Sequence, residues 1–320
     1  MKFVNEYVEG EKLLSAELLV VNVTKGVSNA GSPYLNISLQ DKTGAIEGKK
    51  WDATVLDGVV AEIGKVIAVD ADVIEYRGNK QLKILALHEV DQKTVDYTRF
   101  CMPSPVPQEE LVRRLNSYIS SIKDEDCQRI VQKIVDENFN ALVTYPAASR
   151  NHHEFMSGLL YHTICMADMA SLIASYYDNI DKDILISGVL LHDVGKVVEL
   201  SGPIATKYTL EGKLLGHISI MTAEIRRVAR ELNINSETPI LLEHMILSHH
   251  GNKEFGSPIL PLTKEAVILH FVDDLDSKMN ILDKAYADVE EGNFTQRVIA
   301  MDGRAFYKPK KGAVKKLKSF

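Results

Sequence analysis

Three prolines within five residues, Pro103, Pro105 and Pro107, cannot sit in a helix or a central strand. They divide the chain into two parts of different periodicity. Before them the pattern is that of strands. In Tyr34–Gln40, Leu35, Ile37 and Leu39 fall on one face, and Asn36, Ser38 and Gln40 on the other. The segments Leu13–Thr24, Tyr34–Gln40, Ala45–Trp51, Lys65–Tyr76 and Gln81–Glu89 are rich in Val, Ile, Leu and Tyr. Turn-forming stretches separate them: Ser28-Asn29-Ala30-Gly31-Ser32, Asp41-Lys42-Thr43-Gly44 and Arg77-Gly78-Asn79-Lys80. Five strands with a short helical insert near Thr54–Ile63 predict a small closed or nearly closed barrel. After the prolines Leu111, Leu115, Ile119 and Ile122, then Ile130, Val131, Ile134 and Val135, recur at helical intervals. The helical pattern runs to about Tyr286 with almost no strand signal. The expected organisation of these 320 residues is a barrel over residues 1–95, a stiff linker over 96–107, a helical domain over 108–300 and a basic tail over 301–320.

The longest apolar run, Ile184–Leu191, is interrupted by Ser187 and Gly188 and falls well short of the ~18 residues that span a bilayer, so no membrane partner is expected. The N-terminal MKFVNEYVEGEK has no apolar stretch of signal-peptide length. Three scattered cysteines, Cys101, Cys127 and Cys165, suit neither a disulfide framework nor a thiolate metal site, and point to a reducing cytoplasm. A formal net charge of −7 argues against wholesale coating of nucleic acid but is compatible with a locally basic channel. Arg304, Lys308, Lys310, Lys311, Lys315, Lys316 and Lys318 follow with no acidic residue after Asp302. That stretch reads either as a solvated, frayed end or as a phosphate-binding arm.

Chemistry concentrates in the helical part. His192-Asp193 ends the apolar segment Ile184–Leu191, and Gly195 reads as a helix stop, so a carboxylate falls at the end of a buried helix. Such a charge is costly unless paired or bound to a cation. His162 lies on the preceding helix. His217, the pair His249-His250 and Asp273 follow on apolar helical segments or at their ends. Taken singly, each histidine is an ordinary core or surface histidine, and Lys196 complements a helix C-terminus. Taken in order, histidine and carboxylate without thiolate suit Mn²⁺, Fe²⁺, Mg²⁺ or Zn²⁺. Two such ions sharing a carboxylate could activate a water and clamp a phosphodiester. His152 and His153 read as cap or path-lining residues, His270 as core, and His244 as a helix-face residue.

The series His162, His192-Asp193, His217, His249, Asp273 resembles the HD-domain metal-dependent phosphohydrolases over roughly residues 145–290. The phrases GLLYHT, LLHDVGK, HHG and LHFVDDLDS, behind an N-terminal barrel, are similar to the YhaM family of 3′–5′ exoribonucleases. The resemblance implies an all-β OB-fold followed by an all-α HD domain, acting in a metal-dependent way on single-stranded RNA and, left open, on DNA. It implies one metal held by His162, His192, Asp193 and Asp273. Asp193 then bridges to a second, held by His217 and His249, and Lys196 contacts a substrate phosphate. His250 is the alternative ligand to His249, and Asp276, one turn from Asp273, is placed to orient a ligand. Two divalent ions are implied, Mn²⁺ first, with Fe²⁺, Mg²⁺, Co²⁺ or Zn²⁺ as alternatives. Two other functions compete. One is hydrolysis of small nucleotides or cyclic dinucleotides, although HHGNKEFGSP lacks the Gly-Tyr-Pro signature of one such class. The other is a nucleic-acid adaptor with a dead HD domain, against which the complete ligand set argues.

In the barrel, Tyr34, Trp51 and Tyr76 are candidate base-stacking platforms, against the ordinary reading of sheet packing. Lys49, Lys50, Arg77, Lys80 and Lys83 are candidate phosphate contacts. Residues 1–100 hold 12 basic and 15 acidic residues, so binding there is expected to be local and salt-sensitive. A homo-oligomer is left open.

Overall fold

The computed structural model describes all residues except 1, 29–30, 77, 102–103, 148–155, 203–205, 288 and 311–320, and the side chain of residue 255. Arg77, Pro103, His152, His153 and the end of the basic tail therefore lie outside the described residues.

Among the described residues the N-terminal part is a closed barrel of β1 (Lys12–Val27), β2 (Pro33–Asp41), β3 (Gly44–Trp51), β4 (Val66–Tyr76) and β5 (Asn79–Glu89), in the order β1-β2-β3-β5-β4. All pairings are antiparallel except β3 with β5. The long strand β1 closes the ring because it serves two neighbours. Its first half pairs with β4 and its second half with β2. Register shifts between Leu13 and Ala16 and between Val20 and Asn22 bend it from one to the other. This is the small closed barrel expected from the strand pattern, OB-like as the resemblance implies. The predicted alternation in β2 holds: Leu35, Ile37 and Leu39 are buried in the barrel core, and Asn36, Ser38 and Gln40 face outward. The helical insert is α1 (Val55–Val60), begun by Thr54 and Asp57 in a reciprocal cap.

The segment expected to be a linker from residue 96 begins later. Two single-turn helices, Gln92–Thr94 and Tyr97–Arg99, fold back on the barrel. Phe100 is buried with Leu19 and Val66, and the Gln92 side chain bonds both Val66 N and Val66 O. An aromatic that can be buried against a strand outweighs the local signal for an extended tether.

The helices are α2 (Gln108–Ser121), α3 (Glu125–Leu142), α4 (Gly158–Ala174), α5 (Lys182–Leu191), α6 (Lys196–Glu199), α7 (Leu210–Glu231), α8 (Thr238–Ser248) and α9 (Lys264–Ala287). Helix α5 is buried on every side and forms the bundle axis, touching α3, α4, α8 and α9. Gly188 lets α8 lie close to it: a Cβ there would stand 2.3 Å from the Met245 methyl. Among the described residues, no helix is long and apolar enough to cross a membrane.

Residues 301–310 depart from the expected free tail. They run back along residues 293–298, with bridges Phe294 to Tyr307 and Val298 to Arg304. Lys308 Nζ donates to Tyr286 O at 2.8 Å and to Val289 O at 2.7 Å, capping the end of α9. A lysine in a basic run reads as solvated in sequence. Carbonyls left open at a helix end recruit it instead.

Candidate metal centre

His192 terminates α5 and Asp193 follows it, so both side chains emerge where the buried axis helix stops. Gly195 allows the next turn to press against α7: a Cβ there would lie 2.4 Å from His217 O. Helix α4 brings His162, α9 brings Asp273 and Asp276, and α8 ends at His249. Gly251, at φ 78°, reverses the chain immediately after the histidine pair, and His270 fills the space its missing side chain leaves.

His217 needs a special backbone. Helix α7 is kinked at Gly216 (φ 71°, ψ 154°), which swings His217 toward Asp193 and releases its N–H from the helix ladder. Glu199 Oε1 accepts that N–H at 3.1 Å and the His217 Nδ1 proton at 3.2 Å.

The side chains form two adjoining sets around Asp193. On one side His162 Nε2 lies 3.3 Å from Asp273 Oδ1 and 3.7 Å from Asp193 Oδ2, and His192 Nε2 lies 3.3 Å from Asp193 Oδ2. On the other, His217 Nε2 is 3.5 Å from Asp193 Oδ1, and His217, His249 and His250 bring ring nitrogens within 4.8 Å of one another. Each half therefore receives one oxygen of the same carboxylate.

The second nitrogens of four imidazoles are already engaged. His192 Nδ1 faces Val189 O at 2.8 Å, His249 Nδ1 faces Ile246 O at 2.7 Å, and His162 Nδ1 faces Asp276 Oδ2 at 2.6 Å. His217 Nδ1 faces Glu199. Carbonyl and carboxylate oxygens only accept, so Nδ1 carries a proton, and in each neutral ring Nε2 turns its lone pair inward. His162, between Asp273 and Asp276, also holds a proton on Nε2 until a cation displaces it.

The donors fit a divalent cation. Asp193 Oδ1, His217 Nε2 and His249 Nε2 are buried without a hydrogen-bond partner among the described residues. Orphaned atoms of this kind cost about 1–3 kcal/mol each unless a ligand meets them. The donors are nitrogen and oxygen, as Mn²⁺, Fe²⁺ or Zn²⁺ accept, with no cysteine in either cluster.

Electrostatics agree. Burial disfavours the Asp193 carboxylate, yet Lys196 at 2.6 Å and the neighbouring histidines hold it well below the usual carboxylate range. Burial likewise disfavours the Lys196 ammonium, and Asp193 more than offsets this and raises it. Burial opposes a charge on His162, but Asp273 and Asp276 lift that imidazole to about 9. Burial, with His250 and His192 beside it, keeps His249 neutral, as a ligand must be.

The remaining candidates are distributed less evenly. His250 stands with His249 in the same cluster. His244 accepts Leu262 N at 2.9 Å, away from the centre, and His270 supports the His249 carbonyl at 3.0 Å. Glu199 escaped the sequence reading. Its only signal was a carboxylate within Val197-Val198-Glu199-Leu200, where burial is costly without a partner.

On the barrel, Tyr34 and Trp51 are directly opposed on β2 and β3, with ring centroids 5.3 Å apart. Lys49 Nζ lies 4.0 Å from the Tyr34 ring centre and 4.1 Å from that of Trp51. Lys49, Trp51, Tyr76 and Lys83 line an open groove of about 580 Å³ on the outer face of β3 and β5. Two expected contacts are corrected. Lys80 Nζ is spent on Tyr7 O at 2.6 Å, tying the N-terminus to β5. Lys50 Nζ donates to Trp51 O at 3.4 Å, and Lys50 is not among the residues that line the groove.

Fold and site together define a class: residues 159–278 match the HD domain family. The chain is also 46% identical over 293 residues to the 3′–5′ exoribonuclease YhaM of Bacillus subtilis (strain 168), covering 91% of this chain and 93% of that protein. It belongs to the YhaM family of HD-domain proteins.

Proposed function

We propose that this protein is a metal-dependent 3′–5′ exoribonuclease that hydrolyses single-stranded RNA at the HD centre, with the barrel groove holding the strand. The observation that carries it is the pair of donor sets sharing Asp193, with Asp193 Oδ1, His217 Nε2 and His249 Nε2 on the second side buried and left without a partner among the described residues. His162, His192, Asp193 and Asp273 hold one divalent ion. Asp193, His217, His249 and His250 hold the other, so the histidine pair supplies two ligands and not one. Divalent ions held there, Mn²⁺ by preference, would supply a water of lowered pKa and positive charge for the phosphate. Lys196 keeps Asp193 ionised and adds a positive charge at the rim for the phosphate. Asp276 and Glu199 fix the ring planes of His162 and His217. In the groove Trp51 and Tyr76 offer faces to successive bases, and Lys49 and Lys83 meet the backbone, a sequence-tolerant arrangement.

The test uses single-stranded RNA labelled at either end, with Mn²⁺. A ladder from the 5′ label and immediate mononucleotide from the 3′ label are expected. The reverse pattern, or internal cuts first, would overturn the assignment. Hydrolysis confined to small nucleotides would favour the small-molecule reading.

A further inference from the structure

We infer that Glu199 is a positioning residue that sets the strength of the second metal site alone, by fixing His217. This rests on the two-ion reading above.

One oxygen of Glu199 receives both polar hydrogens of His217, at 3.1 Å from the backbone nitrogen and 3.2 Å from Nδ1. The backbone bond matters because the kink at Gly216 removes that N–H from its helical partner. Without an acceptor it would be a buried, unpaired donor beside a cation site. The ring bond matters because it places the proton on Nδ1 and leaves Nε2 as a donor atom. A single carboxylate oxygen thereby fixes the backbone, the tautomer and the ring plane of one ligand.

Glu199 is itself fixed. Its carbonyl accepts Thr209 N at 2.9 Å and Thr209 Oγ1 at 3.2 Å, and Thr209 caps the start of α7 through Gly212 N. Gly212 packs flush on it: a Cβ there would lie 2.2 Å from Glu199 O. The first half of α7, the kink and α6 are clasped together at this residue.

The two halves of the centre differ in how their histidines are held. His162 rises from an unkinked helix and leans on Asp276, one turn from the ligand Asp273. His217 stands at a break in its helix and leans on Glu199, which belongs to a separate four-residue helix. A carboxylate behind a ligating imidazole raises its basicity, and its loss weakens metal binding by about 10–100-fold. Glu199 should therefore govern one ion and Asp276 the other.

The experiment titrates metal-stripped full-length protein with Mn²⁺ by calorimetry, and follows spin coupling between the two ions by electron paramagnetic resonance. Wild type, Glu199→Gln, Glu199→Ala and Asp276→Asn are compared, each with its melting temperature in chelator. Gln keeps an acceptor oxygen and loses the charge, so it should weaken the second ion about 10-fold, and Ala about 100-fold. The first ion should bind as in wild type in both, and the coupled signal should need correspondingly more Mn²⁺. Asp276→Asn should weaken the other ion. If Glu199→Ala does not fold, Glu199→Gln carries the comparison. Equal weakening of both ions together with a lowered melting temperature, or two wild-type affinities in Glu199→Gln, would overturn the role of Glu199. A single bound ion in wild type would instead overturn the two-ion reading on which it rests.

Discussion

Replacing Asp193 by Asn should have two separable consequences. The carboxylate is the shared member of both donor sets, and an amide cannot carry the negative charge that two cations require. Turnover should fall by at least about 10³-fold, the scale of losing a major electrostatic element of catalysis. The second consequence is visible in the metal-free protein. Lys196 Nζ stands 2.6 Å from Asp193 Oδ2, with the carboxylate side chain only 3% exposed and the lysine 12%. Removing one partner of such a pair leaves an uncompensated buried charge, at a cost of about 3–5 kcal/mol. Against a typical stability of about 5–15 kcal/mol the fold survives at 25 °C. The melting temperature in chelator should drop by on the order of 10 °C. Asp193→Asn/Lys196→Met removes both charges and should recover most of that stability while remaining inactive. Thermal melts in chelator and Mn²⁺-dependent turnover on all three proteins form the assay. If the double variant melts no higher than Asp193→Asn, the ion pair is not the source of the loss. Wild-type turnover in Asp193→Asn would refute the shared-ligand geometry outright.

In chelator, stability should fall as pH rises from about 6.5 through 9, because the folded state holds the His162 proton that the unfolded chain has released, worth about 3 kcal/mol at most. Mn²⁺ should reverse this trend, since it displaces the same proton, and melts at several pH values with and without the ion read both slopes. Trp51→Ala should weaken binding of a fluorescent single strand by about 1–3 kcal/mol, the loss of one stacking contact, and Lys49→Ala should lower the salt slope of binding by about 0.7, while Lys80→Ala should leave affinity unchanged and lower the melting temperature instead. Lys308→Ala should cost about 1 kcal/mol of stability by uncapping α9, whereas deleting residues 311–320 should change only the salt dependence of strand binding, as seen in melts and salt titrations.

The parts of this structure that were legible in the sequence are those where neighbours along the chain decide the outcome. Alternation in Tyr34–Gln40 announces a strand with one buried face, and the burial of Leu35, Ile37 and Leu39 follows from it. His192-Asp193 at the end of an apolar helix announces a charge that needs a partner. What was not legible depends on groups distant in sequence. Lys80 and Lys308 look like free cations, and only the fold reveals the carbonyls of Tyr7 and Tyr286 that take them. Phe100 sits among linker residues, and its burial depends on Leu19 and Val66. Successive residues on a helix point about 100° apart, so His249 and His250 read as alternatives. At the end of α8, with the chain turning at Gly251, both reach one cluster.

Turnover measured against the number of Mn²⁺ ions bound per chain tests the two-ion centre most directly. Metal-stripped protein is given Mn²⁺ in steps, and release of mononucleotide from 3′-labelled RNA is recorded at each step. The rate should stay near zero through the first equivalent and rise with the second, as Asp193, His217, His249 and His250 fill. Full activity at one equivalent, or in excess chelator, would contradict the account.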